Sequence, residues 1–184
     1  DMRPKDVESL ADVVHSPANI GASIASGSFE TTGMIVAPCS IKTLSAVANC
    51  YSADLMARAA DVQLKEGRPL VLLVRETPLH AGHLRLMQRA AENGAVIMPP
   101  VPAFYGAPKT VDDIVNQTVG RALARIGVPN DLYAAWNGMG GLASEDAFKD
   151  HVAALKTAAV GDLGSVGPEA LDLLVDVALG SPAV

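Results

Sequence analysis

The sequence is short of several things that would each announce a class of protein. Cysteine is nearly missing: Cys39 and Cys50 are the only two in 184 residues, too few for a disulfide framework, so a cytoplasmic setting is expected. Aromatic residues make up 4% of the chain, which argues against a protein that stacks nucleic-acid bases on exposed rings. No run of Lys or Arg is longer than two and the net charge is −6, whereas a nonspecific DNA binder or a polybasic membrane anchor needs concentrated positive charge. Every apolar run falls well short of the ~20 residues that cross a bilayer. The start, Asp1-Met2-Arg3-Pro4, has neither a signal-peptide pattern nor Met at position 1, so the biological start is expected to lie elsewhere.

What the chain does contain is small and aliphatic. It is 49% hydrophobic and 18% charged, with 16 Gly and 12 Pro. A chain of this length buries roughly 70% of the surface it exposes when unfolded, enough for one core without metal or disulfide staples.

Residues 1–18 pattern as a helix around Val7, Leu10, Ala11 and Val14, ending before Pro17. A stretch of small residues, Gly21 to Phe29, allows close backbone approach. Gly33 to Pro38 reads as a buried strand, followed by the polar turn Cys39 to Thr43 and one long helix from about Leu44 to Glu66. The unit repeats with a strand at Pro69 to Val74, a turn at Arg75 to His80, and a helix from Ala81 to Asn93 closed by Gly94. A third strand, Ala95 to Met98, enters a loop stiffened by four prolines (Pro99, Pro100, Pro102, Pro108) before a helix from Thr110 to Ile126. Thr110 and Asp113 have capping-box spacing. Strands alternating with helices predict a parallel α/β sheet that binds its ligand beyond the carboxyl ends of the strands. After Trp136 the texture changes, with helix patterns near 144–159 and 168–179. The expected organisation is an α/β domain over 1–136 and a helical C-terminal extension over 137–184.

The strand-end turns hold the chemistry. Ser40, Lys42 and Thr43 follow one strand, Arg75 and Glu76 the next, Tyr105 lies in the proline-rich loop and Arg121 one helix later. Hydroxyls with Arg, Lys and a helix N-terminus make up the donor set for a phosphate. Arg58 and Lys65 stand seven apart, two turns along one helix face. Taken on their own, the same cations read more readily as ordinary solvated surface residues.

Five ordered blocks then resemble one family: Ala25 to Phe29; Gly33-Met34 through Pro38 to Leu44; Arg58 to Val62 with Leu64 to Glu66; Arg75 to Leu79; and Pro102 to Tyr105. Together they resemble the UbiX-type flavin prenyltransferases over Ile20 to Trp136. The resemblance implies a Rossmann-like, flavodoxin-like subunit with flanking helices in a dodecameric shell. Such enzymes join a dimethylallyl group from dimethylallyl monophosphate to N5 and C6 of reduced FMN, and the prenylated FMN serves UbiD-type decarboxylases.

By that resemblance Ser40, Ile41, Lys42, Thr43 and Arg75 contact FMN, and Ala25 and Ser26 line the flavin and prenyl pocket. Tyr105 and Arg121 contact the dimethylallyl phosphate, with Arg58, Lys65 and Trp136 beside it. Ionising an allylic phosphate builds negative charge on the leaving group, so Arg121, Tyr105 and Lys65 are expected to stabilise that charge, while Glu76 relays the proton from the substituted flavin ring. No metal is implied, because these cations suffice for a monophosphate.

The family opens with a strand, a Gly-Ala-Ser-Gly type turn that holds the flavin phosphate, and a second strand, all upstream of the region matched here. The sheet is therefore expected to lack those strands and part of the phosphate cradle. A noncatalytic flavin-binding or assembly subunit is the alternative, and a flavin-dependent cysteine decarboxylase a second, suggested by Cys39. Cys39 otherwise reads as a small buried hydrophobe, Cys50 as core, and Met34, Met56, Met87 and Met98 as core. His80 and His83 read as surface or phosphate-adjacent residues rather than metal ligands, for want of a third ligand.

Overall fold

In a computed structural model of the chain, residues 3–135 are described and fall in two compact units. The first comprises Asp1–Ala103 and Thr110–Tyr133; the second takes Phe104–Lys109 and the chain from Ala134 onward. The helix patterns near 144–159 and 168–179 lie outside the described residues.

The first unit is built on a strand that has no exposed face. Strand β2 (Leu70–Val74) is buried at all five positions and pairs in parallel with β1 (Met34–Cys39) on one side and β3 (Val96–Ile97) on the other. Its unbroken run of Leu and Val is the pattern of a strand covered on both faces. Leu70, Leu72 and Val74 face one layer with Val36, Leu44, Val47, Ala60 and Ala90. Val71 and Leu73 face the other, against Ala122 and Ile126. Helices α2 (Ile41–Ala48), α3 (Leu55–Lys65) and α4 (Ala81–Glu92) contribute to the first layer, and α5 (Val111–Arg125) forms the second. The described residues of the first unit thus form a three-stranded parallel sheet in the order β1-β2-β3 with helices on both faces, the α/β architecture expected. Among the described residues no strand precedes β1.

Helix ends follow local rules. Thr110 caps α5 through its side chain, which accepts from the Asp113 amide at 3.1 Å, while Asp113 accepts from Thr110 at 2.9 Å. Helices α3, α4 and α5 stop in the same way, at Gly67, Gly94 and Gly127 with φ of +66°, +104° and +79°. The amides of Arg68, Ala95 and Val128 reach back to the carbonyls of Gln63, Ala90 and Leu123 at 2.8–3.0 Å, the Schellman arrangement in which a left-handed residue follows the last turn.

Two expectations about helices need correction. The N-terminal segment is helical only over Pro4–Glu8 (α1). Val7, Leu10, Val13 and Val14 are 54–77% exposed, so its apolar stripe meets no surface, and a short helix without tertiary burial does not recover its nucleation cost. The long helix over Leu44–Glu66 is two helices, α2 and α3. Asn49 caps the first, Cys50 takes a left-handed φ of 53°, and the Asp54 side chain accepts from the Ala57 amide at 2.9 Å to open the second. Cys50 is consequently exposed rather than core, and Met56 is 38% exposed on the outer face of α3. Met34, Met87 and Met98 do pack against the core.

Because Leu72 is fully buried at the centre of this layer, Leu72→Ala should lower stability by about 2–5 kcal/mol. Val111→Ala, at a position 74% exposed, should stay within about 0.5 kcal/mol of wild type. Urea denaturation followed by far-UV circular dichroism measures both.

Candidate functional site

The first group of site residues forms where β1 and β2 end. Ser40 is the N-cap of α2: its hydroxyl accepts from the Thr43 amide at 3.3 Å and lies 3.2 Å from the Thr43 hydroxyl. The Arg75 amide donates to the Cys39 carbonyl at 3.0 Å. That bond continues the pairing one step past the strands, so Ser40 and Arg75 leave the sheet side by side. Ser40, Lys42, Arg75 and Glu76 are exposed and Ile41 and Thr43 half-buried, beside a helix N-terminus whose first amides have no intrahelical acceptor. Hydroxyls, free amides and a guanidinium are hydrogen-bond donors suited to an anion. Glu76 accepts from the Thr77 amide at 3.2 Å, and Lys42 pairs with Asp54 at 3.7 Å. An open cavity of about 320 Å³ lies on the outer side of α2, lined by Lys42, Ser45, Ala46, Asn49, Tyr51 and Ala53.

A second group forms on α3 and the segment strapped across it. After a 3-10 turn at Ser23–Ala25, the Ala25 carbonyl accepts from Arg58 Nε at 3.2 Å, while Arg58 also pairs with Asp61 at 3.0 Å. Ser26 and Ser28 share a hydroxyl hydrogen bond of 2.8 Å. Lys65 pairs with Glu66 at 2.9 Å, and the Lys65 ammonium would stand 3.1 Å from a Cβ placed on Gly27. The hydrogen bond from Lys65 is the main reason the Glu66 carboxyl is held below its ordinary range; the nearby charges of Lys65 and Arg68 add to it. Ala25, Ser26, Arg58 and Lys65, distant in sequence, are thereby brought together.

The two groups are not one. Lys65 ends α3 just before β2 begins, and Arg75 and Glu76 follow the last residue of β2. Five residues of strand at roughly 3.3 Å each separate their backbones. Lys65 and Glu76 therefore stand at opposite ends of β2.

Arg121 is exposed on α5, next to the buried Ala122. Its guanidinium carbon lies 6.0 Å from the centre of the Tyr133 ring, at the outer edge of a cation–π contact. Tyr105 belongs to the second unit. There it sits 46% exposed in a 3-10 turn, Phe104–Gly106, with the Ala107 amide donating to the Phe104 carbonyl at 2.9 Å. Trp136 lies outside the described residues.

Cys39 is fully buried at the end of β1, and burial pushes its thiol up to about 11. A thiol held protonated is a poor nucleophile, in keeping with Cys39 as a small buried hydrophobe. The rings of His80 and His83 stack with centres 3.6 Å apart, and His80 Nδ1 accepts from the Gly82 amide at 3.0 Å as the N-cap of α4. Among the described residues no three His, Cys, Asp or Glu cluster as metal ligands, and no helix is long and apolar enough to cross a membrane.

Reading the sequence missed Arg68, Gln63 and Thr31. Gln63 is buried and accepts from the Thr31 hydroxyl at 2.8 Å. Arg68 donates to two carbonyls of the strap, those of Gly27 and Phe29, at 2.7 Å each. Gly67 and Pro69 mark a helix end on either side of Arg68, but neither signals where its side chain goes.

With this geometry in hand, the chain can be compared with known proteins. Residues 6–123 match the Flavoprotein family. The chain is 60% identical to the flavin prenyltransferase UbiX of Escherichia coli (strain K12) over 140 residues, covering 75% of this chain and 74% of that protein. It is 61% identical to flavin prenyltransferase UbiX of Thauera aromatica over 133 residues, or 72% and 69% of the two chains. Among solved structures, AnUbiX (PadA1) in complex with FMN and dimethylallyl pyrophosphate matches with a TM-score of 0.73 at 48% identity, covering 75% of this chain and 73% of that one. A dodecameric FMN-dependent Ubix-like decarboxylase from Escherichia coli O157:H7 matches with a TM-score of 0.71 at 49% identity, covering 74% of each chain.

The contrast between the cysteines is directly measurable. Iodoacetamide at about pH 8 should alkylate the exposed Cys50 and leave Cys39 unmodified until the protein unfolds. Because the folded state keeps the Cys39 proton up to about 11, the stabilisation is complete below the ordinary thiol range and is lost as pH rises through it towards 11. Urea midpoints between neutral and alkaline pH should therefore fall, and less so in Cys39→Ala.

Proposed function

The chain belongs to the Flavoprotein family, on the branch of the UbiX flavin prenyltransferases, and we propose that it transfers the dimethylallyl group of dimethylallyl monophosphate to reduced FMN. The observation that carries the reading is the junction of β1 and β2. Ser40, at the head of α2, and Arg75 emerge together from neighbouring parallel strands, where α/β folds bind their ligands. The donor set there fits FMN: the Ser40 and Thr43 hydroxyls and the α2 amides suit an anionic or carbonyl oxygen, and Arg75 adds a planar fork. FMN, when bound and reduced, would supply the two ring positions, N5 and C6, to which the prenyl group is joined.

The residues of this chain then have three tasks. Ser40, Ile41, Lys42, Thr43 and Arg75 hold and orient the flavin. Arg58, Lys65, Arg121 and Tyr105 carry the negative charge that grows on the leaving phosphate; preorganised donors of this kind are worth most where water is excluded. Glu76 takes the proton that the flavin ring gives up, its carboxylate lying in the exposed turn beside Arg75. Ala25 and Ser26 form the pocket wall, their small side chains leaving room for the prenyl group.

The distance between Lys65 and Glu76 along β2 adds a condition. If both act on one flavin, Lys65 must come from a neighbouring copy of the chain. The dodecameric assembly of the Escherichia coli O157:H7 relative supports an oligomer, in which a neighbouring copy is at hand. The prenylated FMN would pass to a UbiD-type decarboxylase. The free thiols Cys39 and Cys50 support a reducing, cytoplasmic setting.

Incubation with reduced FMN and dimethylallyl monophosphate, in parallel with the pyrophosphate, followed by mass spectrometry of the bound flavin tests the reading. A mass gain of one dimethylallyl unit is expected with the monophosphate. Unmodified flavin from folded, FMN-loaded protein would instead favour a noncatalytic flavin-binding subunit. Tyr105→Phe and Arg121→Ala should each raise KM for the prenyl phosphate by roughly tenfold or more while leaving FMN affinity within about twofold. Lys65→Ala and Glu76→Gln should each be inactive alone, yet recover activity when dissociated, mixed and reassembled; no recovery would mean that both residues serve the site within one copy.

A further inference from the structure

Arg68 is held in place by two structural features at once. The chain turns out of α3 through Gly67, whose amide donates to the Leu64 carbonyl at 3.0 Å, and the Arg68 amide donates to the Gln63 carbonyl at 2.8 Å. Immediately afterwards the Pro69 carbonyl accepts from the Met34 amide at 2.9 Å, where the β1–β2 pairing begins. The Arg68 backbone is thus fixed between a helix end and the start of the sheet.

Its side chain reaches 39 and 41 residues back along the sequence. One terminal nitrogen donates to the Phe29 carbonyl and the other to the Gly27 carbonyl, both at 2.7 Å. These are at the short end of the range for an N–H donor, as expected of a charged one. A guanidinium can hold two alternate carbonyls of one turn in a fixed geometry, whereas an ammonium on a flexible stem is a point charge and cannot. The segment has three further attachments to α3: Arg58 to Ala25 at 3.2 Å, Thr31 to the buried Gln63 at 2.8 Å, and the close approach of Gly27 to the Lys65–Glu66 pair. A Cβ on Gly27 would collide with the Glu66 carboxylate and crowd the Lys65 ammonium. The turn therefore lies against the Lys65–Glu66 pair, with room there only for glycine while those side chains keep their places.

We propose that Arg68 is a positioning residue for prenyl transfer, its guanidinium setting the pocket wall at Ala25 and Ser26 and the spacing of that wall from Lys65. This rests on the reading above, in which Ala25 and Ser26 line the flavin and prenyl pocket and Lys65 faces the leaving phosphate. Arg68 touches neither flavin nor phosphate in this scheme. It acts through the turn, so its loss should show first in which prenyl chain the pocket accepts rather than in whether flavin binds.

The experiment compares the full chain with Arg68→Lys and Arg68→Ala, using FMN affinity by fluorescence quenching, kcat/KM for dimethylallyl and geranyl monophosphate, and hydrogen exchange of the peptide covering residues 25–31. Arg68→Lys keeps the charge and serves if Arg68→Ala fails to fold. The expected result is exchange in 25–31 faster by about tenfold or more, with the preference for dimethylallyl over geranyl monophosphate reduced by roughly tenfold and FMN affinity within about twofold of wild type. A folded variant with unchanged chain-length preference would overturn the proposal even if its exchange were faster, since Arg68 would then be a structural clamp only. A wild-type chain that binds FMN and prenylates nothing would instead overturn the functional reading on which the proposal rests.

Discussion

Burial of β2 on both faces is the constraint from which the rest of this molecule is arranged. A strand that is dry on both sides must find two layers of apolar partners, and Leu70, Leu72 and Val74 find theirs in a different layer from Val71 and Leu73. That requirement places α2, α3 and α4 on one side and α5 on the other. It also gives the molecule two chemically distinct ends. At the carboxyl end of β2, helix N-termini and polar turns gather; at the amino end, α3 terminates and Arg68 links helix, strap and sheet. Each candidate site residue of this unit is positioned by its relation to that strand.

The electrostatics are local rather than global. The chain carries a net charge of −6, so attraction of an anionic flavin or a prenyl phosphate cannot come from overall charge and must come from directed groups. The exposed Lys65–Glu66 pair contributes little to stability, and the Arg58–Asp61 pair is only half-buried. Their value is orientation: each carboxylate holds a cation in one place from which it can be shared with a ligand. The strap over α3 serves the same end through backbone carbonyls, three of which accept from Arg58 and Arg68.

Much of the fold was legible in the sequence, because its signals are local and periodic. The apolar run Leu70 to Val74, the Thr110–Asp113 capping box and the glycine closing α4 each correspond to an observed element. The failures have one cause. Whether residues 1–18 stay helical depends on whether Val7, Leu10 and Val14 meet a surface, and they do not. Whether Leu44 to Glu66 is one helix or two depends on Asn49, Cys50 and Asp54, whose caps are legible only once the chain is known to reverse there. The site divides in the same way. Ser40 and Arg75 could be recognised as donors at strand ends, whereas Arg68 looked like any arginine before a proline.

By itself the sequence determined the parallel α/β architecture, the strand-end turns that carry the hydroxyls and cations, and the family to which those blocks belong. All of these depend on residue type and on spacing along the chain. Only the tertiary structure decided that Ser40 and Arg75 emerge together, that Lys65 stands at the far end of β2 from Glu76, and that Arg68 reaches back to Gly27 and Phe29. Those relations join residues about 35 to 41 apart or set nearby residues at opposite ends of a strand, and they exist only after burial of β2 has fixed the layers. Chain order names the donors, and packing decides which of them can meet.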